Sequence, residues 1–200
     1  KRGRITLSPD YPKRNAAQSL NQCLGDDRRL RTIRDWSRKV ETMERVLRTA
    51  INFDFAAVEV AARKRPESFY RNTGLVEPLA LDVGDGPDRK RYIPIGSDRI
   101  DELDDERLAA SLEAVSGVTF FLDGQPIELS SGQRLFAYIV INILGAIRRN
   151  SLILVDEPEL FLHPTLEIQF VDMLKTILSR FNSKALLATH SVVTVREMIR

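Results

Sequence analysis

One cysteine, Cys23, stands in 200 residues. A lone thiol excludes a disulfide framework and a cysteine zinc site, and Cys23 reads as an ordinary thiol. The longest apolar stretch, residues 135–147, is interrupted by Asn142 and is too short to span a bilayer. No secretory signal stands at the start. There is no internal repeat and no low-complexity tract. These absences fit a cytoplasmic protein that does not engage a membrane. The chain starts at Lys1 and stops at Arg200 inside an apparent helix, which reads as a piece of a longer protein.

What is present is a chain that can build a core, 43% hydrophobic and 29% charged. Its net charge is only +2, unevenly spread: residues 1–50 carry a balance of +7 and residues 51–200 one of −5. A basic arm on a near-neutral body suits a polyanion such as DNA; it equally suits a solvated helix face that binds nothing.

"SPDYP" and "LGDD" mark residues 1–27 as loop. From about Arg28 to Ile51, the residues Ile33, Trp36, Val40, Met43, Leu47 and Ala50 recur at spacings of three and four. That stripe predicts a helix that packs as a hairpin or arm. Ala56 to Arg65 continues as a second helix ended by Pro66, residues 66–100 read as irregular, and residues 101–116 become helical. Val118 to Leu122 is rich in β-formers, and Asp123-Gly124 is a hairpin turn followed by "PIEL" as the return strand. A buried helix then runs from Arg134 to about Arg148. "SLILV" and "KALLATHS" are short buried strands that flank a helix opened by Pro164. This alternation predicts a parallel sheet with helices on its faces, an α/β fold.

"LILVDEPELFLHP", Leu152 to Pro164, runs an oily strand straight into Asp156, Glu157 and Glu159. Carboxylates at a strand end are costly unless something there wants negative charge, and a hydrated Mg²⁺ beside phosphates does. In open α/β sheets, ligands bind beyond the carboxyl ends of the strands. Asp156-Glu157 and Thr189-His190-Ser191 are two such ends, one crossover apart. The helix start after "LSSGQR" offers free backbone N–H groups and a positive dipole end. It is expected beside them, and the combination suits phosphoryl transfer from a nucleotide. His163 reads as structural.

"LSSGQR", "LILVDEPELFLHP" and "LLATHS", in that order and spacing, resemble the signature motif, Walker B and switch histidine of ABC-type ATPases. "DEPELFLHP" and the "SSG" variant resemble the soluble branch that includes RecF, SMC-like and OLD (overcoming lysogenization defect) proteins, many of which serve DNA repair or anti-phage defence. "DEPELFLHP" departs from the transporter pattern "DEPTSALD". The resemblance covers residues 118–195, and residues 1–117 sit where that branch carries helical insertions. It implies a P-loop NTPase-type parallel sheet with flanking helices, the C-terminal lobe of an ATPase head, in residues 118–200, and an inserted helical arm in residues 1–117.

The resemblance further implies that Asp156 holds Mg²⁺, that Glu157 orients or deprotonates the attacking water, and that His190 senses the γ-phosphate. Ser130, Ser131, Gly132 and Gln133 would contact ATP bound by a second copy, and Glu159 to His163 would communicate across that dimer. One departure stands out: no "GxxxxGK[ST]" occurs, nor any Gly-Lys pair. That loop supplies the backbone cradle and the lysine for the phosphates. Hydrolysis is therefore expected only when a lobe carrying Walker A completes the site. The expected function is ATP hydrolysis by a dimerising head, coupled to DNA processing or defence. The alternative is an ATP-binding scaffold that restrains an associated nuclease or other effector with little turnover.

Overall fold

The computed structural model describes residues 11–34, 36–71, 79–112 and 117–199. The first two helices, α1 (Tyr11–Leu30) and α2 (Lys39–Leu47), differ from the expected loop and single helix. α1 covers most of the region that reads as loop because its "LGDD" signals serve tertiary contacts. Gly25 lets the carboxylate of Asp105 pass so close that a Cβ would strike it. Asp26 and Asp27 face inward, with α1 burying Ala16, Ala17, Leu20, Cys23 and Leu24 on the same side. The expected stripe breaks between α1 and α2, where Ile33 is exposed; Val40, Met43 and Leu47 keep it in α2.

The two aspartates join these helices. Asp27 accepts the backbone N–H groups of Lys39 (2.7 Å) and Val40 (2.8 Å), the free donors at the start of α2, and also the Trp36 indole N–H (3.0 Å). Asp26 accepts the ammonium of Lys39 at 2.9 Å and a guanidinium N–H of Arg148 at 2.7 Å. Burial pushes the Asp26 carboxyl up, but Lys39, Arg29 and Arg148 outweigh it and hold the group below the usual carboxylate range. Lys39 is fully buried and also donates to the Ile147 carbonyl at 2.8 Å.

The next part of the chain is largely a sheet. β1 (Phe55–Val60), β2 (Leu81–Val83), β3 (Lys90–Ile95), β4 (Val118–Leu122) and β5 (Gln125–Pro126) pair antiparallel in the order β2-β3-β1-β4-β5. The expected helix at Ala56 is thus strand β1. Its alanines are small enough for a central strand buried on both faces: Ala56 and Val58 join the main core, and Ala57 packs with Tyr92 and Phe121 behind it. Tertiary pairing overrides alanine's helical preference here. Residues 66–100, read as irregular, contain β2 and β3; of the helix expected over 101–116, the described residues up to 112 form α3 (Asp105–Ala109), capped by Asp104, and residues 113–116 lie outside the described residues. Asp123 (φ 50°) and Gly124 (φ 74°) form the expected hairpin turn.

The last third follows its expected order. α4 (Ser131–Ala146) is buried among α1, α2 and α5 (Pro164–Arg180). It crosses α1 closely at Gly145, where Ser19 leaves no room for a Cβ. β6 (Leu152–Asp156) pairs in parallel with β7 (Lys184–Ala188), and α6 (Val192–Ile199) packs on α5. One hydrophobic core takes in α1, α2, β1, α4 and α5. The fold is therefore α/β, but the expected parallel sheet is limited, among the described residues, to the β6–β7 pair; the larger sheet is antiparallel. The pair packs Ile153, Val155, Ala185 and Leu187 against the core. Its other face leaves Leu152, Leu154 and Leu186 between 65% and 70% exposed, unlike parallel sheets covered on both sides. Among the described residues no helix is long and apolar enough to cross a membrane.

Lys39→Ala removes the fully buried cation from Asp26, leaving it only the half-exposed Arg29 and Arg148, and strips the Ile147 carbonyl of its donor. Breaking a buried pair from one side costs about 3–5 kcal/mol, and urea unfolding is expected to show a loss of that size. Arg45→Ala, which breaks an exposed pair with Glu41, is expected to lose under about 1 kcal/mol.

Candidate functional site

Strand β6 ends on Asp156, whose residue is exposed. Glu157 then takes a left-handed conformation (φ 44°, ψ 56°), rare for a residue with a side chain. Its N–H still donates to the Ala188 carbonyl at 2.8 Å, so the parallel ladder extends one residue past the strand. Such conformations cost about 1–3 kcal/mol and persist where the surroundings dictate them. Here the turn brings Glu157 Oε1 to 3.3 Å from His190 Nε2, beyond the end of β7.

Two further acids hold the Thr189–Ser191 turn. Glu159, in the short 3-10 turn Pro158–Phe161, accepts the His190 N–H at 2.7 Å. Glu167, buried in the first turn of α5, accepts the Ser191 hydroxyl at 2.5 Å and the Thr194 hydroxyl at 3.3 Å. Burial works against the charge on Glu159. The hydrogen bond from the His190 amide, with the Glu159 and Ser191 amides and the Thr189 hydroxyl nearby, prevails and holds its carboxyl below the usual range. The sequence reading gave neither acid this role. The third acid of "DEPE" and an acid among the apolar positions of α5 were the visible signals. His163 caps α5, its Nδ1 accepting from the Thr165 N–H at 3.4 Å.

The helix start at Ser130 is closed by its own hydrogen bonds. Ser130 Oγ accepts the Gln133 N–H and Gln133 Oε1 accepts the Ser130 N–H, both at 3.2 Å, a reciprocal capping box. Gln133 also donates to the Ala50 carbonyl at 3.0 Å. Ser131 is exposed. A Cβ on Gly132 would come within 2.7 Å of Leu166, so glycine there lets α4 approach α5 closely. Among the described residues, no hydrogen bond or ion pair links Ser130–Gln133 to Asp156, Glu157 or His190. The structure thus joins Glu157 and His190, with Asp156 next in chain. Of the arginines that make the N-terminal region basic, Arg28, Arg29 and Arg31 form ion pairs with Asp105, Asp26 and Asp101.

Among the described residues no cluster of three or more His, Cys, Asp or Glu could enclose a metal. One exposed carboxylate beside a second acid does fit a hydrated Mg²⁺, which keeps several waters and takes one or two carboxylates together with phosphate oxygens. The geometry sets one exposed carboxylate, Asp156, next in chain to a second, Glu157, which lies against the His190 imidazole. The sequence holds no "GxxxxGK[ST]" loop to cradle phosphates.

A family described as "AAA domain, putative AbiEii toxin, Type IV TA system" matches residues 4–196. Protein ea59 of Escherichia phage lambda is 35% identical over 72 residues, which make up 36% of this chain and 14% of that protein. The chain therefore spans a small part of that relative's length. No solved structure matches.

The lowered carboxyl of Glu159 sets a pH window. Its stabilising effect is fully present above the ordinary value of 4.5 and is lost as pH falls through the lower value in the fold. Wild type and Glu159→Gln are expected to differ in urea midpoint at pH 7 and to converge under acid conditions. A difference that persists or grows as pH falls would remove this role of the charge.

Proposed function

The chain belongs to this AAA-domain family, a type of nucleotide-binding ATPase domain, and from that premise we propose that it forms the hydrolytic part of a composite ATP site. One observation carries the reading: Glu157, in a strained left-handed turn, meets His190 at 3.3 Å beyond the carboxyl ends of two parallel strands. Asp156 would hold Mg²⁺. Glu157 accepts a proton from the attacking water or orients it, and His190 lies against the same carboxylate. Bound Mg²⁺ would neutralise phosphate charge as it builds.

The phosphate cradle comes from a separate lobe bearing a glycine-rich loop. The open face of Leu152, Leu154 and Leu186 supports this, because a parallel pair bare on one side is an incomplete sheet. In this reading the β6–β7 pair extends into the P-loop-type parallel sheet once that lobe docks. The likeness of "LSSGQR" to a signature motif supports action in trans: that helix start would serve ATP held by a second copy. ATP, and not ADP, would then draw two heads together. DNA processing or anti-phage defence, through DNA or an associated nuclease, is the role such a switch would serve.

In the full-length protein, Glu157→Gln is expected to lower ATP turnover by about 10²–10⁴, the worth of a general base, while ATP binding is kept. Turnover near the wild-type rate would remove Glu157 from the chemistry.

The dimer is tested by mixing. Ser130→Arg subunits should bind ATP but neither dimerise nor turn over alone. Combined with subunits whose phosphate-binding loop is broken, they assemble one intact composite site, and partial activity should return. Full activity in Ser130→Arg alone would contradict action in trans.

A further inference from the structure

The side chain of His190 is 90% exposed, so packing does not fix its ring. What is fixed is its main chain. The His190 N–H is held by Glu159 Oε1 at 2.7 Å, across 31 residues of sequence. Thr189 Oγ1 accepts the Ser191 N–H at 3.0 Å, tightening the same turn, and Ser191 is tied to buried Glu167. Glu159 lies two residues past Glu157, in the 3-10 turn that the left-handed Glu157 opens. One short segment thus carries the carboxylate that meets the imidazole and the carboxylate that anchors the histidine's backbone. If either strand end shifts, both contacts move together.

We propose that Glu159 is a positioning residue, whose carboxylate fixes the main chain of His190 so that the exposed imidazole stays within reach of Glu157. The backbone anchor needs no nucleotide. Its consequence for turnover rests on the reading given under Proposed function. A carboxylate suits the task because its charge strengthens the bond to an amide N–H, and because a glutamine there would keep an acceptor oxygen while an alanine would not. Glu167 anchors the other end of the turn, so loss of Glu159 should loosen His190 without unfolding α6.

The test uses the full-length protein with isotope-labelled histidine, the His190 imidazole signal being assigned by its loss in His190→Gln. In the wild-type background, Glu157→Gln is expected to move that signal. In Glu159→Ala the same substitution is expected to move it less than half as far, and Glu159→Gln should restore most of the response. This is a coupling measured between neighbours, and it does not depend on ATP. An undiminished response in Glu159→Ala overturns the proposal. ATP turnover on the same variants separates the two claims. Misplacing a reacting group slightly costs up to about 100-fold, so kcat in Glu159→Ala is expected to fall about 10- to 100-fold with KM unchanged, and to recover in Glu159→Gln. Lost coupling with unchanged kcat would uphold the positioning and overturn the catalytic reading of His190 and Glu157. Should Glu159→Ala fail to fold, Glu159→Asp, which shortens the reach by one methylene, takes its place with the same outcomes.

Discussion

An ammonium group cannot stay buried without partners, and the one on Lys39 finds them in two places that set the rest of the fold. Asp26 binds it from α1, and the Ile147 carbonyl binds it from the end of α4. Arg148 reaches the same Asp26 oxygen, while Asp27 caps the helix on which Lys39 sits. Neighbouring contacts extend the grip to α5: Ser37 donates to the Arg180 carbonyl at 2.7 Å, and Trp36 packs edge-on against Phe181. α1, α2, α4 and α5 are thereby pinned at one end. β6 begins four residues after Arg148 and β7 four residues after Arg180, so this pin also fixes where both site strands start.

At the other end of those strands the constraint is of a different kind. The pin is buried and apolar in its surroundings, whereas Asp156, Glu157 and His190 stand at the surface and are placed by backbone. The left-handed turn at Glu157 and the acid-held turn at His190 do what packing cannot do for exposed side chains. A site built this way leaves its polar groups open to a ligand. One face of the β6–β7 pair is also bare, the face that the proposed phosphate-binding lobe would cover.

The parts legible in the sequence were those whose signal is local. Asp123-Gly124 specified its turn, Pro164 its helix start, and the aliphatic runs before Asp156 and Thr189 their strands. That Asp156, Glu157 and His190 stand at or beyond strand ends could be picked out because a strand end followed by acids or histidine is itself a pattern. β1 was not legible, since alanines in a strand buried on both faces resemble a helix. Nor was α1: Gly25, Asp26 and Asp27 imitate a loop, yet they exist for contacts with Asp105, Lys39 and Val40, distant or across a turn. Glu159 and Glu167 escaped for the same reason. Their partners lie 24 to 31 residues away, and only the parallel pairing of β6 and β7 brings them close.

The central claim is that metal and nucleotide meet at the ends of β6 and β7. Manganese can replace magnesium with ATP and broadens nearby nuclear resonances through its unpaired electrons. With Mn²⁺ and ATP added to the full-length protein, the His190 imidazole signal is expected to broaden strongly, and Asp156→Ala should abolish the effect. A His190 signal that stays sharp at saturating Mn²⁺ and ATP would contradict the account.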